Sequence, residues 1–147
     1  MSAHGAAEFR PADEEADVVA CFPLMHQLRP HLADAAELVE RWRLQQQAGY
    51  RILALWRDRQ PRALAGYRVV DNLIYGRHLY VDDLVTDEAE RSTGLGARML
   101  DRMKQETKAL GCQRLVLDTA IDNLLGHRFY FRNGLLARGF RFSMPIA

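Results

Sequence analysis

The chain is poor in cysteine: its 147 residues include only Cys21 and Cys112. These two belong to no CxxC pair and to no cysteine–histidine cluster, so neither a zinc site nor a thioredoxin-like redox motif is indicated. We therefore expect no bound metal and two reduced thiols, as is usual for cysteines in the cytoplasm.

Long hydrophobic runs are also lacking. No apolar stretch approaches the roughly 18 residues that a membrane-spanning helix requires. The N-terminus has no basic segment followed by an apolar one, as a secretory signal would have. It is acidic instead, with Glu8, Asp13, Glu14, Glu15 and Asp17. We expect a cytoplasmic protein without a membrane partner.

An excess of basic residues is absent as well. Twenty lysines and arginines face nineteen acidic residues, a net charge of +1, which argues against nucleic acid as a partner. The distribution is uneven: residues 1–40 hold eight acids and two bases (net −6), and the remainder holds eleven acids and eighteen bases (net +7). The later part of the chain therefore suits an anionic ligand.

The length and composition are those of one ordinary globular domain. Hydrophobic residues make up 48% of the chain and charged residues 27%, close to the averages for folded soluble domains. The length is near the roughly 150 residues of a typical domain. We expect a single domain over residues 1–147, in which about residues 1–7 are flexible.

Apolar periodicity predicts that the first part of the chain is mainly helical. A short strand at 9–11 precedes a helical region over 12–28, which we expect Pro23 to interrupt because proline has no amide hydrogen to donate. Asp34 and Glu37 have the spacing of a capping box and predict the start of a second helix, which ends before Gly49.

Short apolar runs after Tyr50 predict strands. Runs over 52–56 and 63–70, with a turn-like cluster between them, should pair antiparallel. The elements predicted after them are a strand over 78–85, a helix over 94–110, a strand over 115–117, a helix over 123–131 and a last strand over 139–146. This order predicts a mixed α/β sheet of the α+β type.

The most informative segment is a glycine-rich turn, 91–97, between a predicted strand and a predicted helix. Such a turn directs several backbone amides into one concavity, which binds phosphate oxygens. A Walker A loop is excluded because Ala97 and Arg98 stand where Gly-Lys-Ser/Thr would continue. A dinucleotide fingerprint would need glycine or alanine at Met99. A plain strand-to-helix turn remains an alternative.

Two motifs carry a resemblance to a known family. Arg91-x-x-Gly94-x-Gly96 matches the Q/R-x-x-G-x-G/A pyrophosphate loop of the GNAT superfamily of N-acetyltransferases. Asn123-x-x-Gly126-x-x-x-Tyr130-x-x-x-Gly134 resembles that family's later segment N-x-x-A-x-x-x-Y-x-x-x-G, with glycine in place of the usual alanine. The order of predicted elements also fits, so the resemblance covers nearly the whole chain.

The resemblance implies a fold and a co-substrate. The fold would be a mostly antiparallel sheet, splayed between its fourth and fifth strands and flanked by about four helices, and the co-substrate would be acetyl-CoA. Tyr130 would protonate the departing thiolate; a core aromatic beside Phe129 and Phe131 is the alternative reading of this residue. The residues that would bind the co-substrate are Leu84, Val85, Thr86, Arg91, Ser92, Thr93, Gly94, Leu95, Gly96, Ala97, Arg98 and Asn123.

An amine acceptor would also need a base, because a protonated alkylamine, with a pKa near 10, has no free electron pair. Asp82 and Asp83 are the candidates, since two acids in an otherwise apolar strand are costly unless they face a cleft or are paired. Strand alternation allows only one of them to face the acceptor and favours Asp82, although a bulge would reverse this. Alternatively, both acids only bind backbone or arginine.

The sequence is therefore compatible with three functions. The leading hypothesis is an N-acetyltransferase in which a primary amine of a small molecule or a protein attacks acetyl-CoA directly. The alternatives are a non-catalytic acyl-CoA-binding or sensor module, and a dinucleotide-dependent oxidoreductase. We expect the acceptor to be cationic and to approach the acidic part of the chain. The sequence identifies neither this acceptor nor the oligomeric state, and a homodimer is compatible with it.

Overall fold

The computed structural model describes residues 6–91 and 93–147. Ser92, assigned above to the phosphate loop, and residues 1–5, which make up most of the segment expected to be flexible, lie outside the described residues. The chain divides into two compact units, a larger one that ends at Val116 and a smaller one, Leu117–Ala147.

Within these described residues, five strands form one mixed sheet in the order β1-β2-β3-β4-β5. The first four strands pair antiparallel, and β5 runs parallel to β4. The Leu79 amide donates to the Arg114 carbonyl (3.0 Å) where β4 and β5 meet. This confirms the predicted fold class. The strands are β1 (Glu8–Pro11), β2 (Arg51–Arg57), β3 (Gln60–Asn72), β4 (Gly76–Thr86) and β5 (Leu115–Leu117).

The part of the chain that the structure describes also contains four α-helices: α1 (Glu15–Leu28), α2 (Ala35–Gln46), α3 (Leu95–Ala109) and α4 (Leu124–Arg132). The predicted capping box of α2 is confirmed. The Asp34 carboxylate accepts a hydrogen bond from the Glu37 amide (2.9 Å), and the Glu37 carboxylate accepts one from the Ala33 amide (2.9 Å). The first bond satisfies one of the amides that the first turn of a helix leaves without partners, and the second binds the amide of the residue just before the N-cap.

Helix α1 runs without a break through Pro23, which corrects the expected interruption. Its apolar face is buried on both sides of the proline, at Val18 and Cys21 before it and at Leu24 and Met25 after it. An interior proline costs about 3 kcal/mol, and burial of a large apolar side chain contributes roughly 1.5–3 kcal/mol. Packing of this face therefore outweighs the lost hydrogen bond.

The core of the larger unit lies on both faces of the sheet. On one face, α1 and α2 bury side chains against alternate residues of β2, such as Ile52 and Ala54. Helix α3 packs against β3 and β4 and buries Met99, Leu100 and Met103 completely. The sheet is thus covered on both sides, and β4 lies between two helical layers.

The smaller unit contains α4 and a C-terminal segment without regular structure. The strand predicted over 139–146 is therefore wrong. Its alternating residues Phe140 and Phe142 are 80% and 90% exposed, and no strand pairs with this segment within the described residues. An alternating pattern specifies the faces of a strand, but the strand itself forms only when a neighbour completes the hydrogen-bond ladder.

None of the helices in the described ranges has both the length and the hydropathy of a membrane span.

Candidate active site

A β-bulge lies in the middle of β4. Gly66 of β3 is opposite Asp83, whereas the next residue, Tyr67, is opposite Val81, so Asp82 is the extra residue of the bulge. A bulge of this kind bends the strand and changes the direction of the side chains that follow. Val85 packs with the core on the α1 side of the sheet.

The bulge brings both acidic side chains to one face of the sheet. Asp82 binds Arg68, and Asp83 approaches the position where a Cβ of Gly66 would lie. Gly66 and Arg68 are two residues apart on β3 and therefore point to the same face. Strand alternation therefore does not place the two acids on opposite faces in this strand.

Asp83 is held by two donors from distant parts of the chain. The Tyr50 hydroxyl donates to one carboxylate oxygen (2.6 Å), and the Arg29 Nε donates to the other (3.0 Å). Burial, and then the neighbouring Asp83 charge, raise the pKa of Tyr50 well above its usual value. The hydroxyl therefore stays protonated and remains a donor at neutral pH.

Asp82 is paired separately. The Arg68 Nε lies 3.2 Å and 3.1 Å from its two carboxylate oxygens. The Asp82 carbonyl accepts a further hydrogen bond from Arg29 Nη2 (2.9 Å). Both acids thus bind arginine, as the alternative considered from the sequence requires, and both stand beside the residues assigned to the thioester.

Leu84, Val85 and Thr86, which the resemblance assigns to the thioester, continue β4 beyond the bulge. They pair with Ala65, Leu64 and Ala63 of β3, respectively. In an antiparallel strand, amides of alternate residues point to opposite edges. One edge of this segment is thus bonded to β3, and amides on the other edge point away from it.

The glycine-rich turn has the geometry that phosphate binding needs. Gly94 has a left-handed backbone (φ +85°) and is the N-cap of α3, and a Cβ built on it meets no atom within 4 Å. The Arg98 amide donates to the Gly94 carbonyl (3.1 Å). The amides of Leu95, Gly96 and Ala97 precede this bond, so they have no acceptor within the helix. They can bind an anion at the positive end of the helix dipole.

The two arginines assigned to the loop are placed differently. Arg91 lies 3.9 Å from Glu88, and both side chains are well exposed, so this pair contributes little to stability. The Arg98 guanidinium lies 5.8 Å from the centre of the Phe9 ring, within cation–π range. Thr93 bonds through its hydroxyl and its amide to the Glu90 carbonyl.

The start of the loop is fastened by ion pairs that the sequence interpretation missed. Arg57 Nη1 lies 2.6 Å from Glu90, and Arg62 Nη1 lies 3.4 Å from Asp87. Gln27 donates to Asp87 and accepts from the Glu88 amide. An acidic run after an apolar strand is the only signal in the sequence, and it does not indicate the partners.

Asp87 itself has a lowered pKa. Burial alone would raise the pKa of its carboxyl, but hydrogen bonds from the Ala89 amide, Gln27 and Arg62 outweigh this effect. The ionised carboxylate is thus the form that this contact stabilises.

The remaining predicted residues belong to the smaller unit. Asn123 is the N-cap of α4: its side chain accepts from the Gly126 amide (3.1 Å) and donates to Thr119 (3.0 Å). A Cβ on Gly126 would lie 2.4 Å from the Asn123 Nδ2, so alanine at this position would require the Asn123 side chain to shift. Burial raises the pKa of Tyr130, whose ring meets that of Phe129 edge to face.

The sequence matches the family model described as the Acetyltransferase (GNAT) family over residues 15–135. A protein of Bacillus subtilis (strain 168) named as the uncharacterized N-acetyltransferase YhdJ is 29% identical over 126 residues, which cover 85% of this chain and 89% of that protein.

Solved structures share the fold. Aminoglycoside N-acetyltransferase AAC(6')-Iy, in complex with CoA, has a TM-score of 0.80 at 13% identity over 97% of both chains. Glucosamine-6-phosphate N-acetyltransferase from Arabidopsis thaliana has a TM-score of 0.75 at 19% identity, over 97% of this chain and 100% of that one. At such identities the likeness concerns the fold alone. The family match spans most of the sequence, and the chain therefore belongs to the GNAT family of N-acetyltransferases.

Proposed function

We propose that this protein transfers the acetyl group of acetyl-CoA to a primary amine, which attacks the thioester directly in a ternary complex. GNAT acetyltransferases use acetyl-CoA. The observation that supports the proposal most is the left-handed Gly94 turn, which leaves the first amides of α3 available to phosphate oxygens. The acceptor is a small molecule or a protein that carries the amine.

The binding residues of the proposal follow the chain. Backbone amides over 91–97 hold the pyrophosphate, with Arg98 as an added cation. Backbone groups of Leu84, Val85 and Thr86 hold the pantetheine arm and the thioester, and Asn123 contacts the arm.

The reaction moves two protons. Asp82 or Asp83 accepts a proton from the ammonium, and the free amine forms a bond to the thioester carbonyl carbon. Backbone amides stabilise the negative charge on the carbonyl oxygen. When the carbon–sulfur bond breaks, Tyr130 gives its proton to the thiolate. Its pKa, raised by burial, keeps this proton in place before the reaction. The nitrogen, which is cationic after the attack, loses its second proton and thereby restores the Tyr130 hydroxyl, and the aspartate releases the first proton to solvent.

Release of free thiol from acetyl-CoA tests the proposed reaction. We expect steady release with at least one member of a panel of aminoglycosides, polyamines, amino acids and protein amines. Calorimetry with CoA in parallel measures binding without turnover. Binding without thiol release for every amine would favour the non-catalytic acyl-CoA module, and binding of NAD instead would favour the oxidoreductase.

The Tyr130→Phe variant tests the proposed acid. We expect kcat to fall by roughly tenfold or more, with little change in the affinity for acetyl-CoA, because the hydroxyl serves the leaving group and not the bound ground state. Tyr75→Phe is the matched control. Equal kcat values for Tyr130→Phe and the unmodified protein would show that Tyr130 does not protonate the thiolate and serves only in packing.

A further inference from the structure

We propose that Tyr50 and Arg29 are positioning residues for acetyl transfer: they hold the Asp83 carboxylate at the bulge of β4, where it receives the proton of the amine. Gly66 provides the space in which this contact forms. The inference rests on the proposed function, and it selects Asp83 over Asp82, the residue that strand alternation alone favours.

The space around Asp83 exists only because residue 66 is glycine. A Cβ at this position would lie 1.9 Å from the Tyr50 hydroxyl oxygen and 2.8 Å from an Asp83 carboxylate oxygen. Neither distance is possible between unbonded atoms. The backbone of Gly66 thus forms one wall of the contact between Tyr50 and Asp83.

Arg29 fixes both the backbone and the side chain of the bulge. Its Nη2 donates to the Asp82 carbonyl (2.9 Å), and its Nε donates to the Asp83 carboxylate (3.0 Å). The residue lies just beyond the end of α1, at its C-cap. The position of this helix is thereby linked to the direction in which the Asp83 side chain points.

Asp83 is the better held of the two acids. Its side chain is 13% exposed and binds the buried Tyr50, which directly precedes β2, and Arg29 at the C-cap of α1. The Asp82 side chain is 19% exposed and pairs with Arg68, a residue of the adjacent strand. A group that receives a proton in catalysis has to keep one orientation, because small displacements lower the rate strongly.

The Tyr50→Phe variant removes the hydroxyl and keeps the ring. We expect kcat to fall by about tenfold and the KM for acetyl-CoA to change by less than about twofold. The acidic limb of the kcat profile should move to higher pH, because the ionised carboxylate loses a donor while Arg29, Asp82 and Arg68 still face it.

Tyr67→Phe is the control, because Tyr67 is a tyrosine of β3 with the same 4% exposure as Tyr50. We expect it to leave the pH profile unchanged. A Tyr50→Phe variant that is less stable to urea but retains the kcat and the pH profile of the unmodified protein would overturn the proposal.

A second pair of variants changes partly exposed arginines and leaves the buried core intact. The side chains of Arg29 and Arg68 are 42% and 37% exposed, and each binds one of the two acids. We expect Arg29→Gln to lower kcat by about fivefold and Arg68→Gln by less than about twofold. The reverse order would overturn the choice of Asp83.

The same assays separate failure of this proposal from failure of the proposed function. If the unmodified chain binds CoA but releases no thiol with any amine, the proposed function is wrong, and the positioning roles are wrong with it. If it turns over and the Tyr50 and Arg29 variants turn over equally well, only the positioning proposal is wrong.

Discussion

The proposed phosphate loop and the Asp83 cluster, which consists of Asp83, Tyr50, Arg29 and Gly66, are built in opposite ways. The loop is one continuous stretch of the sequence, 91–97, in which we propose that backbone amides of consecutive residues bind the phosphates. The cluster joins the side chains of Arg29 at the C-cap of α1, Tyr50 just before β2 and Asp83 of β4, and Arg29 and Asp83 are 54 residues apart in sequence. A site of the first kind is encoded by short-range conformation, whereas a site of the second kind exists only after the sheet has formed.

The largest effect is expected at the loop, where one residue decides the geometry. Gly94→Glu places a carboxylate where phosphate would bind, and we expect CoA affinity measured by calorimetry to fall by more than about 100-fold. Gly111→Glu is the control, because Gly111 also has a left-handed backbone (φ +71°) and open space around it. Unchanged affinity in a folded Gly94→Glu protein would show that the loop does not bind CoA.

In the Asp83 cluster the expected effect is a loss of stability caused by a steric clash. Gly66→Ala forces Tyr50 away, and we expect the free energy of unfolding in urea to fall by about 2 kcal/mol, roughly 30-fold in the folding equilibrium. In a Tyr50→Val background the ring is absent and only the end of the Asp83 side chain has to shift, so the same substitution should cost less than about 1 kcal/mol. Equal costs in the two backgrounds would show that the contact between residues 66 and 50 is not the cause.

Asp87 connects the start of the loop to the sheet, because its carboxylate accepts hydrogen bonds from Arg62 of β3 and from Gln27. Its pKa is lowered in the folded state, so its contribution to stability is present above the unfolded pKa, about 3.9, and is lost as pH falls through the lowered value.

We expect Asp87→Asn to cost about 1 kcal/mol in urea unfolding at pH 7 and almost nothing at the acid end of this range. Asp13→Asn is the control, because Asp13 forms a longer and more exposed pair with Arg51 (3.8 Å). A cost for Asp87→Asn that does not change with pH would contradict the role of the ionised carboxylate.

The smallest effect is expected from the overall charge. Asp13, Glu15 and Asp17 of the acidic N-terminal part pair with Arg51, Arg43 and Arg10, which reduces the field that they exert on a cationic acceptor. We expect kcat/KM for such an amine to fall by only about twofold as ionic strength rises from about 0.01 M to 1 M. A tenfold fall would show strong steering, and a preference for an anionic acceptor would exclude it.

Much of the fold was predictable from neighbouring residues. Asp34 and Glu37 specify a helix start by their spacing, Gly111 terminates α3, and the buried strand Leu115–Leu117 follows from its apolar run. The prediction failed at Pro23, where tertiary packing outweighs a local rule, and over 139–146, where the predicted strand has no paired neighbour within the described residues.

The sequence alone determined the family and the glycine turn that begins α3. Its two motifs depend on glycine conformation and helix ends, and these are set by residues within a few positions of each other. Only the tertiary structure decided which way Asp82 and Asp83 point and what holds them. That outcome depends on a register shift between two strands and on the side chains of Arg29 and Tyr50, which are distant in sequence. A register is a property of a pair of strands, so neither strand by itself can reveal it.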